Sequence, residues 1–157
     1  MWRVEPDGTE SWDLEEDSMR YARAVHPESD GGYVVAGGDF TGGFLSGYYC
    51  FALMRVNAQG QRVRVIKSDS GEARAIDIAQ DGSYVLAGSC GYESQPCVLK
   101  VDTSGQTIWY GPLTHLRGSF TSVIATPDGG ALAAGVARDL GGSRDNVVLV
   151  RFSPPEE

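Results

Sequence analysis

Few side chains in this sequence are placed to do chemistry. His26 and His115 are its two histidines, and either suits a general base, yet no Ser or Cys nucleophile can be set beside them. The three cysteines are Cys50, Cys90 and Cys97, an odd number that argues against a complete disulfide framework. Cys90 and Cys97 flank a short segment and can pair across a hairpin in an oxidising compartment; the plainer expectation is that all are small buried thiols. They do not form C-x-x-C and both histidines are distant, so no zinc site is indicated. The acidic run Glu15-Glu16-Asp17 and the lone Asp39 lack the regular spacing of a calcium loop. No P-loop, dinucleotide-binding, zincin or nucleophile-elbow motif occurs. The sequence therefore points to no catalytic residue, metal or cofactor.

Two other groups carry more promise. Arg23 and Arg74 recur in Ala22-Arg23-Ala24 and Ala73-Arg74-Ala75, with Thr121 in the third equivalent place. They either pair with carboxylates such as Glu72 and Asp77 or bind an anion. The second group is aromatic: Phe44, Tyr48 and Tyr49 lie in the Gly-rich stretch 39–49. Tyr92, Arg138 and Arg144 lie in the corresponding stretches downstream. Aromatics combine apolar area with a polar handle and so suit recognition of a sugar or protein. Their alternative role is to cover a sheet edge or fill a subunit interface.

The elements that must hold these residues are set by an internal repeat. Asp30-Gly31-Gly32-Tyr33-Val34-Val35-Ala36-Gly37 recurs as Asp81-Gly82-Ser83-Tyr84-Val85-Leu86-Ala87-Gly88 and as Asp128-Gly129-Gly130-Ala131-Leu132-Ala133-Ala134-Gly135. A second anchor follows, Leu53-Met54-Arg55-Val56 through Gly60 and Val98-Leu99-Lys100-Val101 through Gly105, with two further copies at the chain ends. Each unit reads as four short strands. The first precedes an Asp-Gly turn that needs positive φ. The second and third are apolar and β-branched, as buried strands are. The fourth carries Trp12 or Trp109, or Arg64 in the middle copy, four residues after a turn glycine. No helix is signalled, and short strands in units of about 50 residues predict an all-β fold of propeller blades.

These repeats resemble the blades of bacterial β-propeller proteins of the quinoprotein-like and delta-60 type, over nearly the whole chain. The resemblance implies a fold rather than an activity, because such blades serve enzymes, lectins and scaffolds alike. It also implies envelope or secreted contexts. The first residues show no signal-peptide layout, which leaves the cytoplasm as the default expectation and the compartment open.

The units divide the chain as 1–14 (the last strand of a blade), 15–66, 67–114 and 115–152 (three strands of a third blade). Three blades are too few, since propellers use about 4–8. The N-terminal strand has a vacancy to fill in the last blade, a velcro-type closure that leaves no naked edge. Two chains are thus expected to form one six-bladed homodimeric ring. A hetero-assembly is the main competitor and a closed three-bladed monomer comes last. With 13 Lys+Arg against 21 Asp+Glu the net charge is −8, which argues against a nucleic-acid partner. No apolar run nears the ~20 residues of a membrane-spanning helix. The reading that results is a non-enzymatic binding or assembly module. It recognises protein or carbohydrate through loop residues Phe44, Tyr48, Tyr49, Tyr92, Arg138 and Arg144, above a channel lined by Arg23, Arg74 and Thr121. The alternatives are an enzyme with a channel site using Arg23, Arg74, His26 and Asp77 on a sugar or anionic substrate, and a structural fragment without a dedicated ligand.

Overall fold

The computed structural model describes residues 1–15, 17–41 and 48–155. Among them every regular element is a strand. They run β1 (Trp2–Val4), β2 (Glu10–Asp13), β3 (Tyr21–Pro27), β4 (Tyr33–Thr41), β5 (Tyr48–Val56), β6 (Arg62–Ile78), β7 (Tyr84–Cys90), β8 (Gln95–Val101), β9 (Thr107–Pro112), β10 (Leu116–Ala125), β11 (Ala131–Asp139) and β12 (Asn146–Phe152). All pairings are antiparallel between neighbours in sequence. β3, β4, β5 and the first half of β6 make one four-stranded unit. The second half of β6 with β7, β8 and β9 makes the next. β10, β11 and β12 form a three-stranded sheet, and β1 and β2 a hairpin.

The repeated Asp-Gly turns place their glycines in the left-handed region: Gly31 at φ 83°, Gly82 at 79° and Gly129 at 84°. The preceding aspartates are not there, so these are not two-residue mirror-image turns. The Gly31 amide donates to the Glu28 carbonyl and the Glu28 amide to the Gly32 carbonyl, and the same pair closes the other two copies. That is a longer loop ending in one left-handed glycine. Each aspartate carboxylate then accepts the amide two residues on: Asp30 from Gly32, Asp81 from Ser83 and Asp128 from Gly130.

Second and third strands are apolar without alternation because each inner sheet is covered on both faces. Val34, Ala36, Phe51 and Leu53 pack against Ala73, Ile76, Leu86 and Leu99 of the next unit. On the far side, Val35, Met54 and Val56 meet Trp12, Leu14 and Met19. Val85, Ala87 and Val98 meet Phe120, Val123 and Ala133 of the last sheet.

Three features depart from the sequence reading. Residues 1–14 hold two strands rather than one, β1 and β2, which pair with each other. β6 runs 17 residues without interruption, leaving one unit for the next between Ser70 and Gly71. Cys90 and Cys97 form a disulfide instead of remaining thiols, while Cys50 is free and buried. In the β7–β8 register Cys97 faces Gly88 and Cys90 faces Gln95, which sets the cysteines on a diagonal with Cα atoms 6.0 Å apart, within bridging range.

Candidate functional site

The equivalence of Arg23, Arg74 and Thr121 has a backbone cause. Each sits where the first-strand register slips by one residue: between Ala22 and Ala24, Ala73 and Ala75, Phe120 and Ser122. Such a bulge leaves the extra residue unpaired and bends the strand. Gly37, Gly88 and Gly135 face the residues just before these bulges. A Cβ there would stand 1.8 Å from the Tyr21 carbonyl oxygen, 1.9 Å from that of Glu72 and 2.1 Å from that of Ser119. The last glycine of every repeat is thus fixed by the bulge opposite it.

The bulges aim two arginines at one carboxylate. Arg23 Nε donates to Glu72 Oε1 at 2.7 Å, and Arg74 Nη2 lies 3.9 Å from Glu72 Oε2. Asp77, the other carboxylate expected near them, is engaged elsewhere. It accepts the Ile78 and Ala125 amides at 2.9 and 2.7 Å, and its Oδ1 lies 3.3 Å from His26 Nε2. Asp77 therefore ties the first strands of the second and third units together.

Beyond the bulges the strands end in a cleft of about 450 Å³ between the first two units, lined by Phe40, Tyr48, Tyr49, Glu72, Arg74 and Tyr92 among others. Tyr49 is braced edge-on by Phe40 at 5.3 Å and lies 6.0 Å from Tyr21. The guanidinium of Arg20 lies 5.5 Å from the Phe40 ring and that of Arg23 5.4 Å from Tyr21, cation–π range. Hydrogen bonding with Tyr21 pushes the Tyr49 hydroxyl pKa up, and the Lys67 ammonium, 2.6 Å from Asp39, holds that carboxyl below its ordinary value. Tyr92, by contrast, is 95% exposed at the tip of the β7–β8 connection.

A second cleft of about 630 Å³ joins Tyr92, Glu93 and Ser94 to Arg117, Arg138 and Asp145. A third, about 430 Å³, holds Arg74, Ser89, Thr121 and Asp145. Ser94, in left-handed backbone at φ 51°, borders all three. The structure thus gathers Tyr48, Tyr49, Tyr92, Arg74, Arg138 and Thr121 along one continuous surface. Arg144 is exposed and borders none of these three clefts, and Phe44 lies outside the described residues. Arg23 lines another cleft, of about 500 Å³, with Met1, Arg3, Trp12, Val25 and Tyr33, while its guanidinium reaches Glu72 at the edge of the first. Sequence reasoning missed Phe40; it did offer Glu72 as a carboxylate partner for the repeat arginines, and the structure places both of them at it.

Among the described residues no three His, Cys, Asp or Glu side chains are grouped to hold a metal. What the surface offers is planar rings beside guanidinium, carboxylate and hydroxyl groups, a set suited to stacking and hydrogen bonding with a polar ligand. Fold and surface define an all-β repeat protein with aromatic and arginine-lined clefts between its units. No protein-family model and no curated protein matches the chain.

Proposed function

We propose that the repeat units are propeller blades, that two chains close a six-bladed ring, and that the long-loop face of this ring is a non-enzymatic binding surface for carbohydrate or protein. The observation that carries the ring is a mismatch in burial between repeat-equivalent positions. Val25 is 64% exposed, whereas its counterparts Ile76 and Val123, which pack on the preceding unit, are 8% and 7% exposed. At the other end Leu149 is 68% exposed against 2% for Leu53 and 0% for Val98. Each end of the chain presents the face that an adjoining blade covers elsewhere, and the two faces are complementary by repetition. A head-to-tail contact that repeats and closes gives a ring rather than a filament. Light scattering is expected to give twice the chain mass of 16.8 kDa; a compact single chain at all concentrations sinks the ring.

The binding half of the proposal rests on Tyr48, Tyr49 and Tyr92 sharing a cleft with Arg74. Its probe is an array of immobilised oligosaccharides. Tyr48→Ala and Tyr92→Ala should each abolish retention, and His26→Gln should not. An array that retains nothing removes the carbohydrate arm. A channel enzyme is the second reading, resting on His26 Nε2 standing 3.3 Å from Asp77; His26 Nδ1 lies 2.7 Å from the Pro27 carbonyl, a contact that must open before the ring serves as a base. It predicts oligosaccharide cleavage that His26→Gln eliminates.

A further inference from the structure

The third strand of the repeat occurs four times. Arg3 of β1, Arg55 of β5, Lys100 of β8 and Arg151 of β12 occupy one position, read from the hairpin registers and the repeat. Arg3 faces Trp12, Arg55 faces Arg64 and Lys100 faces Trp109, and each pairing is followed by the same slip in register. The turns after them also match: Gly8 donates to Glu5, Gly60 to Asn57 and Gly105 to Asp102. The β1–β2 hairpin therefore corresponds to strands three and four of a unit, and among the described residues no first or second strand pairs with it. β10, β11 and β12 correspond to strands one, two and three, and among the described residues no fourth strand pairs with β12.

If the two ends belong to one composite blade, β1 and β12 compete for a single place. They are not held equally. β12 registers with β11 over seven residues, Ala131 through Ala137. Arg151 Nη2 lies 2.6 Å from Asp128, the turn aspartate of its unit, as Arg55 pairs with Asp30 and Lys100 with Asp81. Phe152 stacks on Trp109 at 6.2 Å and meets Phe120 edge-on at 5.8 Å. β1 has three residues, Val4 is 58% exposed, and Arg3 Nε lies 3.2 Å from Glu5, two positions along the chain. A cleft of about 500 Å³ lies between the hairpin and the first unit, beside Arg3, Trp12 and Val25.

We propose that β1 is a placeholder strand, displaced by β12 of a second copy when two chains join, so that β2 becomes the fourth strand of the partner's last sheet. This rests on the ring reading and adds to it a step in which one strand must leave before the other docks. A chain whose binding-competent form is a minor one shows an affinity lowered by that fraction.

Two variants test it by sedimentation velocity beside the unaltered chain. Trp2 and Asp13 are register partners, so Trp2→Cys with Asp13→Cys ties β1 to β2 under oxidation. Arg3→Gly with Val4→Gly weakens β1. The weakened chain should dimerise about tenfold more tightly than the unaltered one. The oxidised locked chain should stay at the single-chain mass and regain dimerisation on mild reduction, with reduced unaltered chain as control. A locked chain that dimerises as tightly as the unaltered one overturns displacement and leaves the ring standing. If unaltered and weakened chains are both single at every concentration, the ring falls, and displacement with it.

Discussion

At the scale of single residues, the glycine ending each repeat is a steric requirement, whereas the turn glycine is a conformational one. Gly88→Ala would bring a Cβ to 1.9 Å from a backbone oxygen that the bulge holds in place. A loss of about 3 kcal/mol is expected in urea unfolding, with the slope unchanged. Gly82→Ala meets nothing within 4 Å but keeps φ 79°, so about 1 kcal/mol is expected there. Equal losses would remove the distinction. The turn aspartates also set acid stability. Asp81 is brought from 3.8 to about 2 by the Ser83 hydroxyl and amide, with Lys100 adding to them. Because the folded pKa is the lower one, this stabilisation is complete above pH 4 and is lost as pH falls towards 2. Asp128 and Asp102 are lowered in the same direction. Asp81→Asn should flatten the fall in melting temperature between pH 4 and 2, and an unchanged slope would show that this carboxylate does not drive it.

At the scale of elements, the repeat made the second and third strands legible because their apolar runs and turn glycines are local signals. β4, β7 and β11 all begin three residues after a turn aspartate. What was not legible depends on partners far away in sequence. Nothing in Lys67-Ser68-Asp69-Ser70-Gly71 says that β6 continues through it; continuity follows from the strand leaving β5 and joining β7 within one residue. The β1–β2 hairpin was hidden because β1 is only the last three residues of a third strand. The surface residues were legible as types but not as groups: Tyr48 and Tyr92 are 44 positions apart and meet only through adjacent units. The disulfide followed from a diagonal register that spacing alone left open. It closes a separation of seven residues, for which loop-closure entropy gives about 2.5 kcal/mol. Cys90→Ser with Cys97→Ser should therefore lower the melting temperature by about 5–10 °C, and a reductant should do the same to the unaltered chain. A reductant without effect would mean that the bridge adds nothing to stability.

At the scale of the whole molecule, the chain is a run of sheets that each need a neighbour on both faces; among the described residues the outer face of the last sheet has none, and that of the first unit is covered only in part, by the segment holding Trp12, Leu14 and Met19. The alternation of burial in the last sheet records this: Ala131, Ala133 and Ala137 are buried while Val136 between them is 46% exposed. Val147 is 86% exposed where its counterpart Phe51 is 1% exposed. Side chains that are core in one unit are surface in another with the same backbone, so the exposure belongs to position in the array rather than to the unit itself. Leu149→Lys separates the two levels. In the single chain Leu149 is already 68% exposed, so unfolding of that chain should change by no more than about 0.5 kcal/mol. In the ring the same side chain would be buried as Leu53 and Val98 are, and burying a leucine contributes about 1.5–3 kcal/mol. A lysine there loses that term and adds the cost of an unpaired charge, which together weaken association at least about a hundredfold. The substituted chain should sediment at 16.8 kDa at concentrations where the unaltered chain has doubled. Unchanged association would place Leu149 outside the contact and with it the head-to-tail order of the blades.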